Sequence, residues 1–378
     1  METMKNYPQL EINHDSLRHN INVLKKWCKI SDIEIAGVIK GANAIDSVIE
    51  DFVNCGVKWL ASSRTGHLAH VKSMGIKTPT MLIRSSMLSS IDEVLENCDY
   101  SLQTEIEVLK RLNEKALSKS ERKFLTPVGK HGVVLMLDLG DLREGFIEED
   151  ELISVAKFVD SQLKGLYLAG IGTNLGCYGS VVPTSKNMNR LAHVADIVEN
   201  KIGRKLEIVS GGATSSIIPV LDGVMPKKIN MLRIGAAALV GSHEDIRTCY
   251  GREEFEELSS DAFLLKAEVI EVNSKPTYPI GELGVDAFGK KGIYIDRGCR
   301  KRAIVAVGRA DYGDISDLII KNLPEAKIFG ASGDHTLIDI EDVKDEVCVG
   351  DIIEFNLKYN AILNLTHSED VAIKDSVS

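Results

Sequence analysis

The sequence predicts an α/β fold: a (β/α)8 TIM-type barrel followed by a C-terminal all-β domain. Three observations carry that expectation. Short apolar strands alternate with amphipathic helices over the first two-thirds of the chain, eight such units can be counted, and after about Phe255 the alternation stops. Strands alternating with helices imply parallel pairing through right-handed crossovers, and eight repeats point to a closed barrel rather than an open sheet.

The elements follow in order. An opening strand (Leu10–Asn13) and a helix from about His14 precede eight strand segments: Glu34–Ile39, Val57–Ala61, Thr80–Ile83, Tyr100–Leu102, Val133–Leu137, Leu166–Ile171, Leu206–Val209 and Ile229–Leu232. Helical periodicity follows most of them, over Ser47–Asn54, Thr65–Met74, Ser90–Asn97, Glu105–Leu117, Glu151–Leu163 and Lys186–Ile202. The run EKALSKSERKFLTPVGK between Glu114 and Lys130 is polar and reads as a surface extension. Beyond it, Phe263–Val272, Arg302–Val307, Ile328–Phe329, Thr336–Asp339 and Asp351–Leu357 are strand-like and punctuated by Gly and Pro. The expected domains are residues 1–254, the barrel, and 255–378, the β domain. The first strand is free to pack with the second domain.

Composition excludes more than it identifies. The 378 residues carry 45 Lys+Arg against 55 Asp+Glu, a net charge of −10, which argues against a general nucleic-acid binder. No apolar run approaches the roughly 18–20 residues needed to span a bilayer. METMKNYPQLEINHD lacks the apolar stretch of a signal peptide, so the expectation is a cytoplasmic protein. Seven scattered cysteines form no CxxC pair, and no metal site is expected.

In such a barrel the chemistry lies at the carboxyl ends of the strands. The eight ends supply, in order, Lys40; Ser62, Ser63 and Arg64; Arg84 and Ser85; Gln103 and Thr104; Asp138 and Arg143; Thr173 and Asn174; Ser210 through Ser216; and Arg233, Gly235 and Ala236. Lys40 closes an apolar strand, where partial desolvation lowers an amine pKa and suits it to Schiff-base chemistry. The plainer reading is a lysine reaching solvent from a strand end. SGGATSS and RIGAAALVG have the small residues and hydroxyls that suit a phosphate, at the loops where barrels commonly hold one. Each segment alone also reads as an ordinary turn. Together, an amine nucleophile and a phosphate cup bracket an aldehyde phosphate. Pyridoxal 5′-phosphate fits, and a sugar-phosphate aldolase fits nearly as well.

Several segments, in order and at strand ends, match a known pattern: GVIKGANAID, LDLGDLREG, GIGTNLGCYG, VSGGATSSIIPVL, NMLRIGAAALVG, YPIGELGVDAFG, RGCRKRAIVAVGRAD, FGASGDHTLID and LKYNAIL. On these the chain resembles the alanine-racemase-like (fold type III) enzymes that use pyridoxal 5′-phosphate, and within them the ornithine racemase branch. The resemblance implies a cofactor bound through Lys40. Arg143 would lie near its phenolic oxygen, and Asn174 stands where alanine racemases have histidine. Thr214, Ser215, Ser216, the backbone of Gly235 and Ala236, and Tyr359 would hold the phosphate. Arg233 would face the ring nitrogen and keep it unprotonated, since an arginine gives up its proton reluctantly.

The activity so implied is racemisation of ornithine or another basic amino acid by two-base proton transfer at Cα. Lys40 would serve one face. For the other, alanine racemases use a tyrosine from the partner subunit, and here the pattern departs. TYPIGELGVDAFGKKG does not align cleanly, Phe288 stands near the tyrosine's place, and Tyr278, Glu282 and Asp286 are the candidates, with Asp286 slightly favoured. Asp286 also reads as a turn residue between Gly284 and Gly289. Asp311 and Asp334 join Asp286 as carboxylates that could meet a distal ammonium. The resemblance further implies a homodimer whose active sites are completed by the partner's β domain. Kept beside this reading are a noncatalytic PLP-binding homeostasis protein, a racemase of a small neutral amino acid such as alanine, and a fold-type III decarboxylase or aldolase.

Overall fold

The computed structural model describes residues 7–118, 122–241, 247–248, 251–285, 289 and 291–376. The chain divides into two compact units: one comprises residues 18–238 and 242–258, the other residues 1–17, 239–241 and 259–378.

In the first unit eight parallel strands close into a barrel: β2 (Glu34–Val38), β3 (Trp59–Ser62), β4 (Thr80–Leu82), β5 (Tyr100–Gln103), β6 (His131–Met136), β7 (Leu166–Gly172), β8 (Ile208–Ser210) and β9 (Met231–Ile234). Closure runs through β2 and β9, with Glu34 opposite Met231 and Gly37 opposite Ile234. The strands are apolar nearly throughout because a parallel barrel is covered on both faces. Ala36, Val38, Trp59, Ala61, Met81, Tyr100, Leu102, Val134, Met136, Ala169, Ile208 and Met231 pack together as one buried cluster. Large and small residues alternate there for a steric reason. A Cβ on Gly132 would lie 2.4 Å from the Tyr100 ring, so the missing side chain makes room for the aromatic one.

The six helices expected from the sequence start and stop within about two residues of that expectation, the ordinary scatter of helix ends, while the short helix Ile217–Leu221 between β8 and β9 has no counterpart there. Ser185–Ile202 is the best delimited. Thr184 and Asn187 form a reciprocal capping box at its start, and Gly203, at φ 74°, ends it in a left-handed turn.

The second unit is an antiparallel sheet in the order β12 (Leu318–Ile320), β15 (Ile352–Leu357), β10 (Phe263–Pro276), β11 (Cys299–Val305), β14 (Thr336–Asp339) and β13 (Lys327–Ala331). The opening strand β1 (Gln9–Ile12) belongs to this sheet, antiparallel to β10 and parallel to β16 (Ala372–Asp375). Residues of β15 alternate between half-buried and buried, as a strand with one face on a core requires. The short strands β12 and β16 have no counterpart in the sequence reading, since three or four residues are too few to show a period. No helix among the described residues is long and apolar enough to cross a membrane.

Candidate active site

Lys40 sits in a single 3₁₀ turn, Ile39–Ala42, directly after β2. The turn is followed by two non-glycine residues in the left-handed region, Asn43 (φ 47°) and Ala44 (φ 54°). Such residues cost on the order of 1–3 kcal/mol each and persist only where their surroundings hold them. Here Asn43 Oδ1 meets His67 Nε2 at 3.1 Å, and His67 Nδ1 meets Ser62 Oγ at 3.0 Å. The backbone carrying Lys40 is thus pinned to the end of the neighbouring strand. Burial pulls the Lys40 amine below its ordinary value. Among the nearby charges, Cys177 and Glu144 oppose the shift while Arg143 and Arg233 reinforce it. Side chains from the ends of β6, β7 and β9 therefore act on the one amine that follows β2.

Arg143 is exposed and forks onto the carboxylate of its neighbour Glu144 through Nε and Nη2. That pairing pushes its proton affinity up. Arg233 is its opposite in environment, at 4% exposure. Its guanidinium donates to Ser210 Oγ (2.5 Å), the Thr173 carbonyl (3.1 Å) and Asn174 Oδ1 (3.2 Å), all neutral acceptors. Burial lowers its pKa to about 10, which still leaves it a cation at neutral pH. Among the described residues it has no carboxylate hydrogen-bond partner, and such a buried positive charge is costly unless a further acceptor completes it.

Two more groups at this spot are incomplete. Thr173 Oγ1 and Asn174 Nδ2 are buried and have no hydrogen-bond partner among the described residues. An unmet buried polar atom costs about 1–3 kcal/mol, so a pair of them beside a buried arginine marks a place shaped for something polar.

The loop after β7 is held by Asp141, a residue 1% exposed. Its carboxylate accepts from the backbone N–H groups of Gly176 (3.0 Å), Tyr178 (3.1 Å), Val181 (3.3 Å) and Cys177 (3.4 Å). Burial alone would push this carboxyl up, but the four donors outweigh it and hold it below the usual carboxylate range.

On the far side lies the turn Thr214–Ser216 after β8. Ser215 Oγ donates to the Leu175 carbonyl at 3.1 Å, tying this turn to the β7 loop. Ser216 is fully buried and its hydroxyl donates to the Gly211 carbonyl at 2.7 Å, so that hydrogen serves the turn itself. Thr214 Oγ1 accepts from the Ala237 N–H at 3.4 Å, joining the turn to the helix Ala236–Val240 after β9. A Cβ on Gly235 would stand 2.7 Å from the Val38 carbonyl oxygen, so only glycine lets β9 pass this close to the strand that precedes Lys40.

The barrel thus gathers Lys40, Arg143, Asn174, Thr214, Ser215, Ser216, Arg233, Gly235 and Ala236 at the carboxyl ends of its strands. Tyr359 lies in the other unit, half-buried at the first position of the helix Tyr359–Leu365. Tyr278, 44% exposed, packs edge-on against Tyr294 in that unit, and Glu282 is exposed. Asp286 and Phe288 lie outside the described residues. Asp311 spends its carboxylate locally, accepting from the Gly308 N–H and the Ser368 hydroxyl, whereas Asp334 is exposed. Sequence reasoning gave no role to Asp141 or Glu144. Both stand in LDLGDLREG, where nothing in the spacing separates a structural carboxylate from a solvated one.

Comparison with known proteins adds a family and a fold. Residues 12–243 match the family model for the alanine racemase N-terminal domain. Ornithine racemase from Acetoanaerobium sticklandii is 39% identical over 96% of this chain and 98% of its own length. Lysine racemase from Thermotoga maritima is 35% identical over 94% of this chain and 95% of its own. Among solved structures, alanine racemase from Clostridium difficile 630 superposes with a TM-score of 0.71 at 19% identity, covering 100% of this chain and 98% of that one. The enzyme from Streptomyces lavendulae gives 0.74 at 14% identity with the same coverage.

Proposed function

Because this chain belongs to the alanine racemase family, we propose that it racemises a basic amino acid, ornithine or lysine, with pyridoxal 5′-phosphate as cofactor. The single observation that carries the substrate class is the near full-length likeness to relatives that bear ornithine and lysine in their names.

The chemistry of the residues at the strand ends supports that cofactor. Lys40 is a partly buried amine of lowered pKa, suited to bonding an aldehyde. The unmet donor of Asn174 and the buried guanidinium of Arg233 ask for acceptors, which a ring with a nitrogen lone pair and a phenolic oxygen would supply. The turn Thr214–Ser216 and the backbone at Gly235 and Ala236 would hold the phosphate, and Tyr359 is the further residue that the family likeness assigns to it. Arg143 would stand by the phenolic oxygen. When bound, pyridoxal 5′-phosphate supplies an electron-withdrawing ring that acidifies the substrate Cα–H.

This chain's own residues then do the proton work. Lys40 would take or return the Cα proton on one face, with burial lowering the proton affinity of its amine. Asp286 serves the other face, with Glu282 and Tyr278 as the competing assignments. Arg233 would face the ring nitrogen as a donor that keeps its own proton, so electron withdrawal would stay moderate and favour proton return at Cα. The barrel unit would form the cofactor domain, and the sheet unit, which also takes in residues 1–17 and 239–241, would complete the partner's site in a cytoplasmic homodimer.

The deciding experiment is incubation of the cofactor-loaded enzyme with L-ornithine or L-lysine in deuterated water. The expected product is the D-isomer with one deuterium at Cα, and L-alanine should exchange far more slowly. Absence of exchange with ornithine and all twenty standard amino acids would reject the reading.

A further inference from the structure

Asp141 is buried at the end of β6, two residues before Arg143, yet it spends its charge on another strand's loop. Four backbone N–H groups of 176–181 converge on its two oxygens, Gly176 and Val181 on Oδ1, Cys177 and Tyr178 on Oδ2. Among the described residues, these four N–H groups have no other acceptor. The loop itself joins two halves of the candidate site. At its start Asn174 Oδ1 accepts from Arg233, and the Leu175 carbonyl accepts from Ser215 in the turn after β8. Further along, Cys177 lies within electrostatic reach of Lys40 and Arg233. The loop is also seated sterically. A Cβ on Gly179 would be 2.7 Å from the Asp141 carbonyl oxygen, so loop and clamp are in direct backbone contact.

We propose that Asp141 is a positioning residue for the reaction at Lys40, its carboxylate fixing the 174–181 loop so that Asn174 is presented to Arg233 and Leu175 to the turn at Ser215. This rests on the racemase reading for the identity of the reaction, while the clamp rests on geometry alone. A carboxylate is the right group for the task. It offers only acceptors, two per oxygen, so it satisfies four N–H donors at once without competing for them. An amide of the same shape cannot, because its NH2 would face the N–H groups of Cys177 and Tyr178. Asp141 touches neither the amine nor the phosphate turn, so it acts through the loop.

The test compares cofactor-loaded wild type with Asp141→Asn. Two readouts are taken: kcat per bound cofactor with KM for L-ornithine, and hydrogen–deuterium exchange of the peptide spanning 174–182. Asp141→Asn is expected to lower kcat/KM about 100-fold, the scale of two lost charge-assisted hydrogen bonds. Much of that loss should fall in kcat per loaded site, and the loop amides should exchange at least about tenfold faster. A role confined to folding would instead reduce the loaded fraction and leave kcat per loaded site unchanged, which overturns the proposal. Should Asp141→Asn fail to fold, wild type alone decides: amides 176–178 and 181 must exchange slower than those of exposed loops, and free exchange there refutes the clamp. Wild type that protects these amides but exchanges no Cα proton with any amino acid refutes the racemase reading and the reaction assigned to the clamp.

Discussion

Arg233 donates to the side-chain oxygen of Asn174 at 3.2 Å, which leaves the Asn174 NH2 buried with no acceptor among the described residues. The two residues come from the ends of β9 and β7, and their pairing orients the amide. With the oxygen committed to a guanidinium, the nitrogen must be the end left for a ligand. An asparagine here is thus a donor held in one orientation by the same arginine that is proposed to face the ring nitrogen.

Asn174→Ala tests that orientation. If the amide serves the cofactor, its loss should weaken pyridoxal 5′-phosphate binding by about tenfold, the ~1.4 kcal/mol of one hydrogen bond. Titration of the apoenzyme followed by visible absorbance would read this. Unchanged affinity with a raised melting temperature would mean that the substitution only removed an unmet buried donor.

Lys40→Ala should abolish the visible band of the bound cofactor and lower racemisation by at least ~10²–10⁴-fold, the usual contribution of a positioned acid–base. Because burial keeps the Lys40 amine below its ordinary pKa, wild-type apoenzyme should also react with an amine-directed acylating reagent at a lower pH than surface lysines do. A mutant that keeps the band removes Lys40 from its role.

Arg233→Glu replaces a fixed donor with an acceptor that can share a proton with the ring nitrogen. Electron withdrawal should then strengthen, so racemisation falls while a 2-oxo acid is released from ornithine, about one per site because the amino group stays on the cofactor, in an amount chromatography can compare with wild type. Loss of racemisation with no oxo acid would place Arg233 away from the ring nitrogen.

His131 offers a stability prediction apart from catalysis. It is fully buried, with Nε2 at 2.8 Å from Ser101 Oγ and Nδ1 at 3.2 Å from the Cys98 carbonyl. Burial lowers its pKa from 6.5 to about 4. The unfolded chain therefore binds this proton first as pH falls, so the contribution is complete above pH 6.5 and is lost down to about pH 4. The loss approaches ~3 kcal/mol. Urea midpoints at pH 7 and pH 4.5 should fall further for wild type than for His131→Gln, and equal decrements would reject the assignment.

The strand-end reading found the barrel residues of the candidate site because a parallel barrel fixes where the carboxyl ends point. Lys40 after EIAGVI and Arg233 inside MLRIGA can be placed from hydrophobic pattern alone. Spacing did not reveal the partners. Arg143 is tied to Glu144, Ser216 turns its hydroxyl toward Gly211, and Asp141 holds the loop of another strand 35 to 40 residues away. In sequence each of these is one more polar residue in a turn.

The sequence by itself determined the barrel and the following sheet, since period and strand count depend on which residues must leave water. It also determined which side chains stand at the strand ends. Tertiary structure decided the electrostatic state of those side chains and the owner of each hydrogen bond. Burial and long-range partners, which no local pattern encodes, lower the amine of Lys40, isolate the charge of Arg233 and give Asp141 its four donors. The opening strand shows the same division. QLEI reads as a strand from its own residues, but only pairing with β10 and β16, more than 240 residues away, decides which sheet it joins.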